Sequence, residues 1–263
     1  MDFSRESFGG VKTRYFESDT ESSLQLIFIP GVFDAEMWKH QVKYFCESFR
    51  TIAFESEETR EFGKQMELVE GILDQEHLDN VVLVSQGLGN RLARELEYRE
   101  EVVATVMTGA RTSETSVPGS LYGLGKRALQ AEPKLFKKLF LSGLTDYRVA
   151  KQFLRDVSFP SYPEYRSFSE GFSMRKPVKN SLLIHAQEDR FSSLDVAREL
   201  KPGVSVSVIR GAGTFSFYEK PQEYNKAVLD FLSTLEGFVE RRQVSQTREK
   251  NRSLKEFEMK VKK

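Results

Sequence analysis

Val81-Val82-Leu83-Val84-Ser85-Gln86-Gly87-Leu88-Gly89-Asn90 is the stretch whose reading decides the fold. Its first four residues are apolar without alternation, as in a strand covered on both faces. Ser85, Gly87 and Gly89 then supply the small residues of a sharp turn. Asn90-Arg91-Leu92-Ala93 opens a helical pattern. A buried strand running straight into a helix through a tight turn argues for an α/β architecture.

The same alternation extends outward. Strands are predicted near Val11 to Phe16, Leu24 to Ile29, Arg50 to Phe54, Asn80 to Val84 and Val102 to Thr108. Helices are predicted between them from Ala35 to Glu47, Arg60 to Asp74 and Asn90 to Tyr98. After Ser181 come the strands Leu182 to His185 and Val204 to Ile209, then a helix through Val228 and Leu232. This order predicts a mainly parallel sheet with helices on both faces.

The alternation stops beyond Gly109. Pro133 to Phe140 has apolar residues at helical spacing with lysines between them, and Val149, Phe153 and Val157 recur every four residues. Thr145-Asp146 suits a helix start, and Phe159 to Pro163 reads as an irregular aromatic loop. Gly119, Gly123 and Gly125 suggest a mobile entry. The expected organisation is a first core part over 1–110 and a helical cap insertion over 111–179. A second core part follows over 180–237, then a charged C-terminal helix or tail over 238–263.

These segments, in this order, resemble the α/β-hydrolase fold superfamily from about Val11 to Glu236. The resemblance implies an α/β-hydrolase fold and a nucleophile elbow of the form G-x-S-x-G at the quoted turn. Ser85 then takes the first glycine position, Gly87 the serine position and Gly89 the last glycine. Placing Ser85 at the tip instead would require a small residue at Leu83, which is bulky. The family's histidine follows the last strand in a stretch like G-x-G-H-F, and here Gly211-Ala212-Gly213-Thr214-Phe215 puts Thr214 at that place. Threonine has no usable proton affinity near neutral pH, so it cannot act as a general base. Asp189 matches the triad acid, whose work of orienting a histidine is void beside Thr214. It can instead accept from Thr214, cap the following helix or pair with Arg190.

The front loop, Ile29-Pro30-Gly31-Val32-Phe33, resembles the segment that usually ends in His-Gly, with Pro30 replacing the histidine. The N–H of Val32 or Phe33, together with that of Leu88, matches the family's oxyanion donors. The resemblance therefore implies a degenerate member with no intact catalytic set. Val32, Phe33, Gly87, Leu88, Thr214 and Phe215 are the expected lining of a ligand pocket.

Composition sets limits. Formal net charge is zero, with 39 basic and 39 acidic residues, so the whole chain is no electrostatic magnet for nucleic acid. Residues 238–263 hold nine Lys/Arg against four Asp/Glu, so the rest is acidic by the same margin. Leu254, Phe257 and Val261 give that segment a thin apolar stripe. The single cysteine, Cys46, fits a reducing compartment and sits in a helix pattern as a buried thiol. The polar start carries no signal peptide, and no apolar run approaches a membrane span. His40, His77 and His185 read as surface or satisfied core residues. Metal and nucleotide signatures are missing, so neither a metal nor a cofactor is expected.

The sequence thus points to a cytoplasmic, catalytically inactive protein that binds a small apolar ligand or a protein partner. The partner would dock through the cap or the C-terminal tail. The alternative is a hydrolase or lyase with a non-standard catalytic set.

Overall fold

The computed structural model describes residues 2–110, 119–170, 179–192 and 204–237. An eight-stranded sheet has the order β1-β2-β4-β3-β5-β6-β7-β8. The strands are β1 Ser4–Phe8, β2 Val11–Glu17, β3 Gln25–Phe28, β4 Arg50–Ser56, β5 Val81–Gln86, β6 Val102–Thr108, β7 Asn180–Ala186 and β8 Val204–Ile209. β1 and β2 pair antiparallel, as do β2 and β4, and every other pairing is parallel.

Burial explains the strand compositions. All of β5 and all of β6 are buried, which is why their sequences show no alternation. In β3 the faces separate cleanly. Leu26 and Phe28 join the cluster of Trp38, Phe217 and Tyr224, while Ile27 packs with Ile52, Leu68 and Leu92 on the other face. Trp38, Phe217 and Tyr224 belong to segments covering one face. Helices α2 (Phe62–Gln75) and α3 (Gly89–Leu96) cover the other.

In the core, three features differ from the sequence expectations. The polar strand β1 was not anticipated, because four of its five residues are exposed and carry no apolar pattern. The first helix is divided into a 3-10 turn, Ala35–Trp38, and α1, Lys39–Phe45. Cys46 lies just past α1 and is half-buried rather than enclosed.

Between β6 and β7 the described residues form α4 Gly119–Ala131, α5 Pro133–Phe140, α6 Tyr147–Asp156 and α7 Tyr162–Ser169. Asp146 caps α6 by accepting from the Arg148 N–H. The expected aromatic loop over Phe159 to Pro163 ends early. Ser161 and Glu164 form a reciprocal capping box, and Tyr162 and Pro163 make the first turn of α7. Ser158 ties this layer to the core, donating both its N–H (2.8 Å) and its hydroxyl (2.6 Å) to Asp34 Oδ2. After β8 a single helical turn, Ser216–Glu219, precedes a helix over 221–237. The tail expectations for 238–263 lie outside the described residues. Among the described residues no helix is long and apolar enough to cross a membrane.

Candidate functional site

The elbow forms where β5 meets α3. Gly87 adopts φ +55°, the left-handed region that an L side chain rarely occupies. Its N–H donates to the Thr108 carbonyl at 2.9 Å, which pins the turn to the end of β6. A Cβ placed on Gly87 would meet nothing within 4 Å. The turn therefore combines a left-handed backbone with open space above its tip.

Ser85 is placed elsewhere. It is fully buried, and its hydroxyl donates to Asn90 Oδ1 at 2.8 Å. Asn90 passes the contact on, its amide donating to the Thr108 carbonyl at 3.0 Å. Ser85 is thus part of a lock behind the turn that joins β5, β6 and α3, and it does not line the cavity over the turn.

The front loop leans on the elbow backbone to backbone. Gly31 has φ +61°, and a Cβ there would come within 2.9 Å of Gly89 Cα and N. Phe33 N–H donates to the Pro30 carbonyl at 3.1 Å, so that donor is engaged within its own turn. Val32 N–H and Leu88 N–H have no hydrogen-bond acceptor among the described residues. Of the two front-loop donors anticipated, Val32 is the one left open.

Thr214 and Asp189 meet. Thr214 Oγ1 donates to Asp189 Oδ1 at 2.7 Å. Asp189 also accepts from Phe191 N–H (2.9 Å) and from the Ser192 hydroxyl (2.6 Å). Among the described residues it forms no ion pair with Arg190. The Thr214 loop is held on its other side by the cap, through Thr214 N–H to the Phe140 carbonyl at 2.7 Å.

His185 lies near this acid but behind it. It is buried at the end of β7, with Nδ1 3.3 Å from Ser192 Oγ. Burial holds its imidazole below the ordinary value, opposed by the nearby charge of Asp189. It does not line the cavity. His40 sits in α1 against the Tyr218 ring, and His77 has φ 49° at the end of α2. None of the three stands where a base could reach the space over Gly87. The described residues hold no cluster of three or more His, Cys, Asp or Glu placed for a metal ion.

Above the elbow is a cavity of about 440 Å³. Val32, Phe33, Gly87, Leu88, Thr214 and Phe215 all line it. Phe33 stands at the centre of an aromatic wall, edge-on to Phe153, Phe159 and Phe215 with ring centroids 6.4, 5.9 and 5.7 Å away. Sequence reasoning missed the opposite wall, which α4 supplies with Tyr122, Gly125, Lys126 and Leu129. Those positions are spaced i, i+3, i+4, i+7, one helix face, but they mix polar and apolar types and so give no hydrophobic period. Gln86 was also missed because it reads as the end of a buried strand.

The parallel sheet with its antiparallel first strands, the elbow after β5 and the acid loop after β7 define an α/β-hydrolase fold. The comparisons with known proteins agree. The AB hydrolase superfamily protein YisY of Bacillus subtilis (strain 168) is 24% identical over 181 residues, covering 59% of this chain and 67% of that protein. A bromoperoxidase from Bacillus anthracis superposes with a TM-score of 0.70 at 17% identity, over 88% of this chain and 100% of the other. A thermophilic esterase from Thermogutta terrifontis gives a TM-score of 0.70 at 15% identity, over 89% and 99%. No protein-family model matches the chain.

Proposed function

We propose that this chain is a catalytically inactive α/β-hydrolase-fold protein that binds a small apolar ligand in the cavity over Gly87. The carrying observation is a formed elbow beneath open, largely apolar space, with neither an attacking atom at the tip nor a base at the acid. Covalent acyl transfer requires both a nucleophile and a base to activate it. Binding requires only concave apolar surface with a few placed polar groups, and about 440 Å³ lies within the usual range for ligand sites. The lone cysteine suits work in the cytoplasm.

A second reading rests on the open N–H groups of Val32 and Leu88. Two such donors beside the cavity would polarise a bound carbonyl, and a reaction that needs no protein nucleophile would then be open to this chain. A third occupant of the same surface is a protein segment seated on the cap.

Thermal-shift titration with fatty acids, small esters and aromatic acids tests the proposal. A ligand at a hundred times its Kd stabilises the fold by about 2.7 kcal/mol, a readily visible shift. Absence of stabilisation by every class would end the small-ligand reading. Turnover of the esters would favour the second.

A further inference from the structure

We propose that the occupant of the cavity is an amphipathic monoanion, an apolar body ending in a carboxylate, and that Lys126 holds the carboxylate. This rests on the ligand-binding reading above and names the chemical class of the ligand.

Among the described residues that line the cavity, Lys126 is the charged side chain, and none is an Asp or Glu. Its ammonium is fixed in the wall by two carbonyls, Phe159 O at 3.0 Å and Pro160 O at 2.9 Å. An ammonium carries three N–H donors, so one remains beyond these two bonds. Lys126 forms no ion pair among the described residues. Tyr122 donates its hydroxyl to the same Pro160 carbonyl at 2.9 Å. Burial, aided by Tyr165 and Glu164, holds the Tyr122 phenol well above its ordinary value, so it brings no negative charge.

A half-buried cation with no counter-ion among the described residues, set in an aromatic wall, is poised for an anion. Hydrogen bonds to ionised groups are roughly twice as strong as neutral ones, and the apolar surroundings reduce screening. A single lysine balances a single charge, which favours a carboxylate over a doubly charged phosphate. The rings of Phe33, Phe140, Phe159 and Phe215 in the walls fit the apolar body. If Lys126 served only to clasp the Phe159-Pro160 segment to α4, it would give no preference among ligands of one shape.

The test is calorimetric titration with 4-phenylbutanoate and 4-phenylbutan-1-ol, which share a body and differ in the terminal group. In the wild type the acid is expected to bind roughly tenfold or more tightly than the alcohol. Lys126→Met is expected to remove that preference, so that acid and alcohol bind with about equal affinity. Lys126→Gln retains donors for the two carbonyls without the charge, and should lose the preference in the same way even if Lys126→Met fails to fold. Lys126→Arg should keep it. Equal binding of acid and alcohol by the wild type would overturn this inference and leave the ligand-binding reading standing. A preference that survives Lys126→Gln would overturn the assignment to Lys126. Binding of neither compound, with apolar esters binding, would overturn the inference alone. Failure of every ligand would overturn both.

Discussion

Thr214 donates a 2.7 Å hydrogen bond to the carboxylate of Asp189, the contact that a histidine ring would make in an active relative of this fold. The other Asp189 oxygen takes the Ser192 hydroxyl, so the loop after β7 remains organised without an imidazole. Thr214→Val keeps the shape and removes the donor. It should cost about 1–2 kcal/mol, the usual effect of a lost bond to a charged acceptor that retains other donors. Urea denaturation with an unchanged slope checks this. A neutral outcome would mean that water replaces the threonine freely.

The protein should not react with a fluorophosphonate probe. Loss of nucleophile and base from a working triad costs on the order of a millionfold in turnover. Ser85 is buried behind the turn and bonded to Asn90, so Ser85→Ala should leave the unlabelled state unchanged. Labelling that disappears in Ser85→Ala would show that this serine reaches the cavity.

Installing both groups should introduce some acyl-transfer chemistry. The space over Gly87 admits a side chain, and Asp189 already waits beside position 214. Gly87→Ser/Thr214→His is expected to be labelled slowly by the same probe, with each single variant far weaker. A folded double variant that stays unlabelled would mean that the two positions are not spaced for proton transfer.

Two glycines of similar backbone conformation should differ sharply. At Gly87 (φ +55°) a methyl group meets nothing, so Gly87→Ala carries only the left-handed strain, about 1–2 kcal/mol. At Gly31 (φ +61°) the methyl would also be driven to 2.9 Å from the Gly89 backbone, and overpacking adds about 1–3 kcal/mol. Melting curves should therefore rank Gly31→Ala well below Gly87→Ala. Equal losses would place the front loop farther from the elbow than described.

Acid should loosen the fold through His185 first and Asp156 later. Burial depresses the His185 imidazole, so the folded state resists the proton that the unfolded chain accepts below about pH 6.5. Stability is present above that value and is lost as pH falls toward the lower folded value. Burial alone would raise Asp156, but hydrogen bonds from Lys39, Tyr218 and Arg155 overcome it and hold the carboxyl low. Its contribution is present above about pH 3.9 and fades as pH falls through its folded value. Burial raises Glu219 despite its bonds from Thr145, Ser142 and Gly213, and this acts with the opposite sign, its contribution being lost as pH rises through its folded value. Comparison of variants separates these effects. His185→Gln should flatten the decline just below pH 6.5, whereas Asp156→Asn should flatten only the decline below about pH 4. Identical pH profiles for wild type and His185→Gln would refute the assignment.

The core of the fold was legible because parallel strands buried on both faces leave largely apolar runs without alternation, as in Val81 to Val84 and in Val102 to Met107, where Thr105 is the one polar residue. The turn was legible because Gly87 and Gly89 answer a backbone requirement. β1 escaped because its pairing with β2 is made by the main chain while its side chains face water. Gly9 and Gly10, both at positive φ, were the available signal for that hairpin. The core side of the cavity could be placed from the elbow and the Thr214 loop. The α4 side could not, because Tyr122 and Lys126 gain their meaning only by crossing to the Phe159-Pro160 carbonyls.

The cavity is expected to bind its ligand without transforming it. Titrate the wild type calorimetrically with methyl 4-phenylbutanoate at several temperatures, and recover the ester afterwards for mass analysis. The expected result is saturable one-to-one binding with a negative heat-capacity change, the mark of apolar burial, and ester returned intact. Recovery of 4-phenylbutanoate and methanol above the buffer control, or no binding heat for this or any related ester, would contradict it.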